Sequence, residues 1–241
     1  MRSTDIALQL SDVVSGYGEN VIVKRVTISL RRGTWTTVIG ANGAGKSTLL
    51  RTVAGSVPCR SGSIVVEGKD VSGWSSIQRL RGGIGLVPQG RCNFPAMTVL
   101  DNLKLGAFAL RLRRDELEGR VERLFKVFPR LKERSAVLAG NLSGGEQQLL
   151  EMAMVLMTHP RLLLIDEPSL GLSPVATDTV FAEIRRLTRE GLTVLMVEQN
   201  AREALAECDD GVVMELGKVS LHAPASEVLA HPEIRSMFLG L

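Results

Sequence analysis

Short apolar runs recur along the chain, and their spacing changes from one region to the next. Leu162–Ile165 and Thr193–Val197 are runs of strand length with almost no polar interruption. Runs of this kind predict strands covered on both faces, as in a parallel sheet. Helix-forming segments separate the later runs, and that alternation predicts an α/β fold. The beginning reads differently. Ile6–Val14, Ile22–Leu30, Trp35–Ile39 and Ser63–Glu67 are strand-like and separated by glycine-bearing turns, which predicts an antiparallel β portion. Between residues 98 and 140, Leu and Val recur at helical spacing among Arg and Glu. This stretch is expected to be an inserted helical subdomain, with residues 1–97 and 141–241 forming the α/β catalytic core of a single domain. Small strands at Val212–Glu215 and Val219–Leu221, then short helices, are expected at the end.

Composition narrows the class of protein. A chain of 241 residues can bury a full core. Its 29 Lys+Arg against 26 Asp+Glu leave only +3, too little to argue for nucleic acid as a partner. Cys59, Cys92 and Cys208 are far apart and odd in number, which predicts a reducing compartment rather than a disulfide framework. His159, His222 and His231 share no metal-ligand spacing with them. The opening residues have no basic start leading into an apolar run, so no signal peptide is expected. No stretch approaches the length of a bilayer span. A cytosolic chain is expected, reaching a membrane only through another protein.

Two strand ends carry phosphate chemistry. "IGANGAGKSTLL", from Ile39 to Leu50, fits G-x-x-x-x-G-K-[ST] at Gly40, Gly45, Lys46 and Ser47. It follows an apolar strand and opens a helix-like run, the context this motif requires. Its glycines let backbone N–H groups turn toward phosphate oxygens, and the helix start adds positive dipole. The loop residues Gly40, Asn42, Gly43, Ala44 and Gly45, with Lys46, Ser47 and Thr48, are therefore expected to bind ATP. Lys46 would reach the outer phosphates and Ser47 the Mg²⁺. In "RLLLIDEPS", Asp166 stands at a strand tip, where it can hold Mg²⁺ through water, and Glu167 is placed to polarise the attacking water. "NLSGGEQQLLEMAMVLM" begins with Ser143, Gly144, Gly145 and Glu146, a capping box at the start of a helix whose tip the glycines leave open to an anion.

Taken together, these motifs resemble the nucleotide-binding subunit of an ATP-binding cassette (ABC) transporter, and the likeness covers essentially the whole chain. LSGGE is similar to that family's signature motif and lies in the expected order between the phosphate loop and the IDEP strand end. The resemblance implies a P-loop NTPase fold and an ATPase. It implies that Tyr17, in "SGYGEN", stacks on adenine. Gln89, in "GLVPQG", would link the Mg²⁺ site to the helical insertion and the membrane partner. Ser143, Gly144 and Gly145 would contact the terminal phosphate held by an opposite cassette, so that two ATPs lie between two subunits arranged head to tail.

The chain departs from the family pattern at two places. Where most cassettes carry a histidine after the strand Thr193–Val197, this one has Gln199. An amide can donate to a phosphate oxygen and accept from water but cannot carry charge, so Gln199 is expected to sense the γ-phosphate and help place water. Leu172 stands where an aspartate is customary, and a heterodimer with a different cassette accommodates that more readily than a homodimer. "DEPSLGLSP", "VEQNAREAL" and "PEIRSMFLGL" further resemble the F-type ATPase of branched-chain amino acid importers. That resemblance implies a second ATPase subunit, two permeases and a substrate-binding protein, with this chain on the cytoplasmic face of the inner membrane. Phe94, Pro95, Met97 and Val99 are expected to contribute to the docking groove. Importers of urea, amides or other polar solutes, and a weakly hydrolysing regulatory cassette, remain alternatives.

Overall fold

A computed structural model describes residues 5–238, and residues 1–4 and 239–241 lie outside the described residues, including the end of "PEIRSMFLGL". In chain order the elements begin with β1 (Ile6–Tyr17), β2 (Asn20–Arg31), β3 (Trp35–Ile39), α1 (Lys46–Ala54), β4 (Cys59–Val66), β5 (Lys69–Asp70), α2 (Ser76–Arg81) and β6 (Ile84–Val87). The helices α3 (Val99–Gly106), α4 (Arg114–Val127), α5 (Pro129–Glu133) and α6 (Gly144–Leu156) come next. The chain then alternates through β7 (Leu162–Asp166), α7 (Pro174–Arg189), β8 (Thr193–Val197), α8 (Ala201–Glu207) and β9 (Asp210–Glu215). It ends with β10 (Lys218–Pro224), α9 (Ala225–Ala230) and α10 (Pro232–Phe238).

Two sheets organise these elements. One is antiparallel, in the order β2-β1-β4-β5; the other has six strands in the order β10-β9-β3-β8-β7-β6. Within the second sheet β3, β8, β7, β6 and β9 run parallel, while β10 turns back along β9 as the edge. All five residues of β3, β7 and β8 are buried. Successive side chains of a strand point to opposite faces, so each of these runs feeds two cores. Leu163, Ile165, Val194 and Met196 pack with Trp35, Phe181 and the helices α3 to α8. Leu162, Leu164, Leu195 and Val197 pack with α1 and the antiparallel sheet. That double coverage explains the near-unbroken apolar runs of β7 and β8. It also corrects the expectation for Trp35–Ile39: this run is not part of the antiparallel portion but pairs parallel with β8 and β9, buried on both faces despite Thr36 and Thr37.

The parallel arrangement decides where chemistry can sit. It brings the carboxyl ends of β3, β6, β7 and β8 to one edge of the sheet, the edge at which open α/β sheets take ligands. Short caps aim the helices that meet this edge. Ser143 caps α6, its hydroxyl accepting from the Glu146 N–H while the Glu146 carboxylate accepts from the Ser143 N–H. Ser173 caps α7, its hydroxyl accepting from the Ala176 N–H, and Pro174 follows at the first helical position. Of the residues expected to form a docking groove, Phe94 and Pro95 are exposed, whereas Val99 is fully buried in the core beside α6. The reason is helical phase: Val99 opens α3 on the face packed inward.

Candidate functional site

The loop after β3 is shaped by glycine where a side chain would not fit. Gly40 has φ +153°, and a Cβ there would lie 2.2 Å from the Met214 carbonyl oxygen. Gly43 and Gly45 have φ of +81° and +99°, in the left-handed region that favours glycine. Gly45 caps α1 without any side-chain bond, so the first N–H groups of that helix face outward unclaimed. Unclaimed N–H groups at a helix start make a ready anion site. Lys46 is buried and donates to the carbonyls of Gly40 at 2.8 Å and Ala41 at 3.2 Å. Burial lowers the pKa of its ammonium, and the charges of Glu167, Asp166 and Glu198 draw it partly back.

Asp166 ends β7 beside this loop. Its Oδ1 accepts from the Ser47 hydroxyl at 2.8 Å, and its other oxygen lies 3.9 Å from the Arg51 guanidinium. Burial raises the Asp166 pKa, against the pull of Ser47, Arg51 and Lys46. A hydroxyl and a carboxylate oxygen meeting this closely are hard donors, the type that suits Mg²⁺ rather than a softer metal. Glu167 follows with φ +49°, in the left-handed region, and lines the cavity formed by the loop. There it accepts from the Gln89 amide nitrogen at 2.7 Å. Tyr17, at the end of β1, is 46% exposed and lines the same cavity as Asn42, Gly43, Gly45, Lys46, Ser47, Thr48 and Glu167. That cavity measures about 310 Å³. Ala44 is buried, and its N–H donates to the Ala41 carbonyl at 3.1 Å.

The polar ending of β8 divides into two parts. Glu198 is buried, its carboxylate accepting from the Ser169 N–H at 2.9 Å and from the Gln199 N–H at 3.0 Å. Burial raises its pKa, and these bonds lower it. Glu198 thus ties the loop after Asp166 to the end of β8, a role that sequence reasoning missed. The only signal was a charged residue directly after a buried strand. Gln199 is exposed, and its amide has no hydrogen-bond partner among the described residues.

Ser143, Gly144 and Gly145 lie elsewhere. They line a separate cavity of about 570 Å³ with Glu146, Leu172, Ser173 and Ala176, and it shares no residue with the phosphate-loop cavity. A Cβ on Gly145 would sit 3.0 Å from Ala176 Cβ, and one on Gly144 would sit 3.3 Å from Leu172 Cδ2. Glycine therefore lets the start of α6 press against α7 and the Leu172 turn. Within one chain, the LSGGE tip does not meet the phosphate loop.

Comparison with known proteins places this geometry. A family model described as "ABC transporter" matches residues 23–170. The chain is 42% identical over 233 residues to the high-affinity branched-chain amino acid transport ATP-binding protein BraG of Pseudomonas aeruginosa, covering 97% of this chain and 99% of that protein. It is 30% identical to the lipopolysaccharide export system ATP-binding protein LptB of Escherichia coli strain K12, over 97% of each. Among solved structures, it is similar to the ADP conformation of an ATP-binding cassette of an ABC transporter. That match has a TM-score of 0.87 and 27% identity, covering 98% of this chain and 99% of the other. A strand-end site built on a glycine loop, in a chain matched along nearly its whole length, gives one conclusion: this chain belongs to the ABC transporter family and is an ATP-binding, ATP-hydrolysing cassette.

Proposed function

We propose that the chain energises an importer of branched-chain or related amino acids, as one of two different cassettes that close on ATP and drive a pair of permeases. The cargo reading is supported by 42% identity to a branched-chain amino acid cassette over nearly all of both chains. The paired reading is carried by one observation: the phosphate loop and the LSGGE tip line separate cavities. A helix tip that binds phosphate but cannot reach its own chain's loop needs a second subunit. With Leu172 in the turn beside Gly144, this chain offers that second subunit no carboxylate at position 172, which favours an unlike partner. No described helix is long and apolar enough to cross a membrane, so permeases would hold the chain at the cytoplasmic face, with a binding protein delivering solute.

Each site residue has a task in this reading. The loop N–H groups from Gly40 to Thr48 hold the phosphates, and Lys46 leaves the loop carbonyls for the outer phosphates. Tyr17 covers adenine. Ser47, Asp166 and Gln89 would hold Mg²⁺, which supplies charge neutralisation between the outer phosphates. Glu167 polarises water, oriented by the Gln89 amide. Gln199, exposed at the same edge, donates to the γ-phosphate. Ser143, Gly144 and Gly145 complete the site of the opposite cassette. The test is uptake of labelled leucine, urea and a simple amide by vesicles holding the complete transporter. Leucine uptake that disappears with Lys46→Ala supports the reading; uptake of urea or the amide alone contradicts the cargo.

A further inference from the structure

Glu151, on α6, is almost fully buried, and none of the ATP chemistry above uses it. Its Oε1 accepts three hydrogen bonds from the segment that follows Gln89. They come from the Cys92 N–H at 2.9 Å, the Asn93 N–H at 3.2 Å and the Asn93 side-chain amide at 2.6 Å. Its Oε2 is buried with no hydrogen bond among the described residues. Burial, then the nearby Glu151 charge, pushes the Cys92 thiol up to about 12, so the thiol stays neutral. A buried carboxylate with one oxygen unpaired is costly, and an apolar residue would fill the place more cheaply. Such an exception calls for a reason other than packing.

The segment being held supplies one. At its near end Gln89 donates to Glu167 at the ATP site. At its far end Asn102 of α3 accepts from the Phe94 N–H at 2.7 Å. The Asn102 amide also donates to the carbonyls of Phe94, Met97 and Thr98 at 3.0, 3.3 and 2.9 Å. Between the two clamps the Phe94 ring is left 49% exposed. Glu151 lies on the helix that Ser143 caps, roughly 12 Å along its axis at 1.5 Å per residue. One buried carboxylate therefore joins an exposed aromatic, the ATP-site glutamine and the LSGGE helix.

We propose that Glu151 is a positioning residue for transport coupling. By gripping Cys92 and Asn93 it makes the Phe94 surface and the tip of α6 move as one body. A permease acting at Phe94 then controls whether that tip closes on the partner's nucleotide. The inference rests on the proposed function, because it needs permeases to control. A cassette without the grip still hydrolyses ATP but no longer answers to the transporter.

The test uses the complete transporter in vesicles, with ATP hydrolysis measured with and without solute-loaded binding protein, and uptake counted per ATP. Glu151→Ala is expected to keep unstimulated hydrolysis within about twofold while losing at least about fivefold of the stimulation, with uptake per ATP falling alongside. Glu151→Gln, which keeps the acceptor oxygen, restores most of both. Asn93→Ala lowers stimulation by itself and adds nothing to Glu151→Ala. An alanine variant that keeps wild-type stimulation, or whose basal and stimulated rates fall by one common factor, overturns the proposal. Where Glu151→Ala fails to assemble, undiminished stimulation in Asn93→Ala overturns it. A wild type without solute stimulation contradicts the proposed function instead.

Discussion

Lys46 shows how burial sets the behaviour of a single group. Its ammonium is desolvated under the loop, and three carboxylates only partly compensate. Its pKa therefore lies below the ordinary 10.5, and the charge is lost at a lower pH than for an exposed lysine. The apparent affinity for Mg·ATP should fall as pH rises through that lowered value. Lys46→Arg should flatten the dependence, because a guanidinium stays charged; nucleotide titrations across the alkaline range below pH 10.5 measure this. Asp166 and Glu198 shift the other way, raised by burial. Between their unfolded and raised folded values the native state holds more protons than the unfolded chain, so stability falls as pH rises through that window. Glu198→Ala strands the Ser169 and Gln199 N–H groups and should cost about 1–3 kcal/mol, read by denaturant unfolding. Gln199→Ala should lower hydrolysis by the assembled transporter at least about tenfold, by analogy with water-positioning glutamines; an unchanged rate contradicts the positioning role. The residues that gather in the loop cavity were legible as a group because a phosphate-binding motif fixes glycine, lysine and serine at set spacing. Glu198 and Glu151 were not, since a carboxylate after a strand or inside a helix reads as solvated until the fold buries it.

The elements differ in how far they announced themselves. β7 and β8 were readable within a residue or so, because burial on both faces leaves a nearly unbroken apolar run. β3 was legible as a strand but not as a member of the parallel sheet, since Thr36 and Thr37 and the strands before it read as antiparallel. β1 and β2 extend beyond the expected Ile6–Val14 and Ile22–Leu30, as their polar ends are paired through the hairpin that places Tyr17 opposite Asn20. β6 escaped notice: it is short and contains Gly85, where a Cβ would lie 2.6 Å from Val155. Glycine there lets α6 pack close, which sequence periodicity cannot reveal. The same logic makes Gly40 the most sensitive joint between β3 and α1. Gly40→Ala should cost at least about 2 kcal/mol, lowering the melting temperature by about 4–8 °C in calorimetry. Glycine at position 145 serves the α6–α7 contact instead. Gly145→Ala should shift the LSGGE tip by a few tenths of an ångström, weakening association with the partner cassette more than it lowers the melting temperature.

For the whole molecule, the parallel sheet gathers Gly40, Gln89, Asp166, Glu167 and Gln199 along one edge, while α6 and the turn at Leu172 present a second surface. The helices between residues 98 and 141 pack on one face of that sheet, and the antiparallel strands pack on the other. In the proposed function, ATP would be the joint between one chain's loop and another chain's helix tip. Light scattering of this chain mixed with its partner cassette examines that joint directly, using Glu167→Gln, which keeps an oxygen to accept from Gln89 while removing the group that polarises water. If ATP joins the two cassettes, Mg·ATP converts the mixture to a one-to-one pair, ADP releases it, and adding Lys46→Ala to the same chain abolishes the response. A pair equally abundant without nucleotide, or undiminished by Lys46→Ala, would contradict that role for ATP.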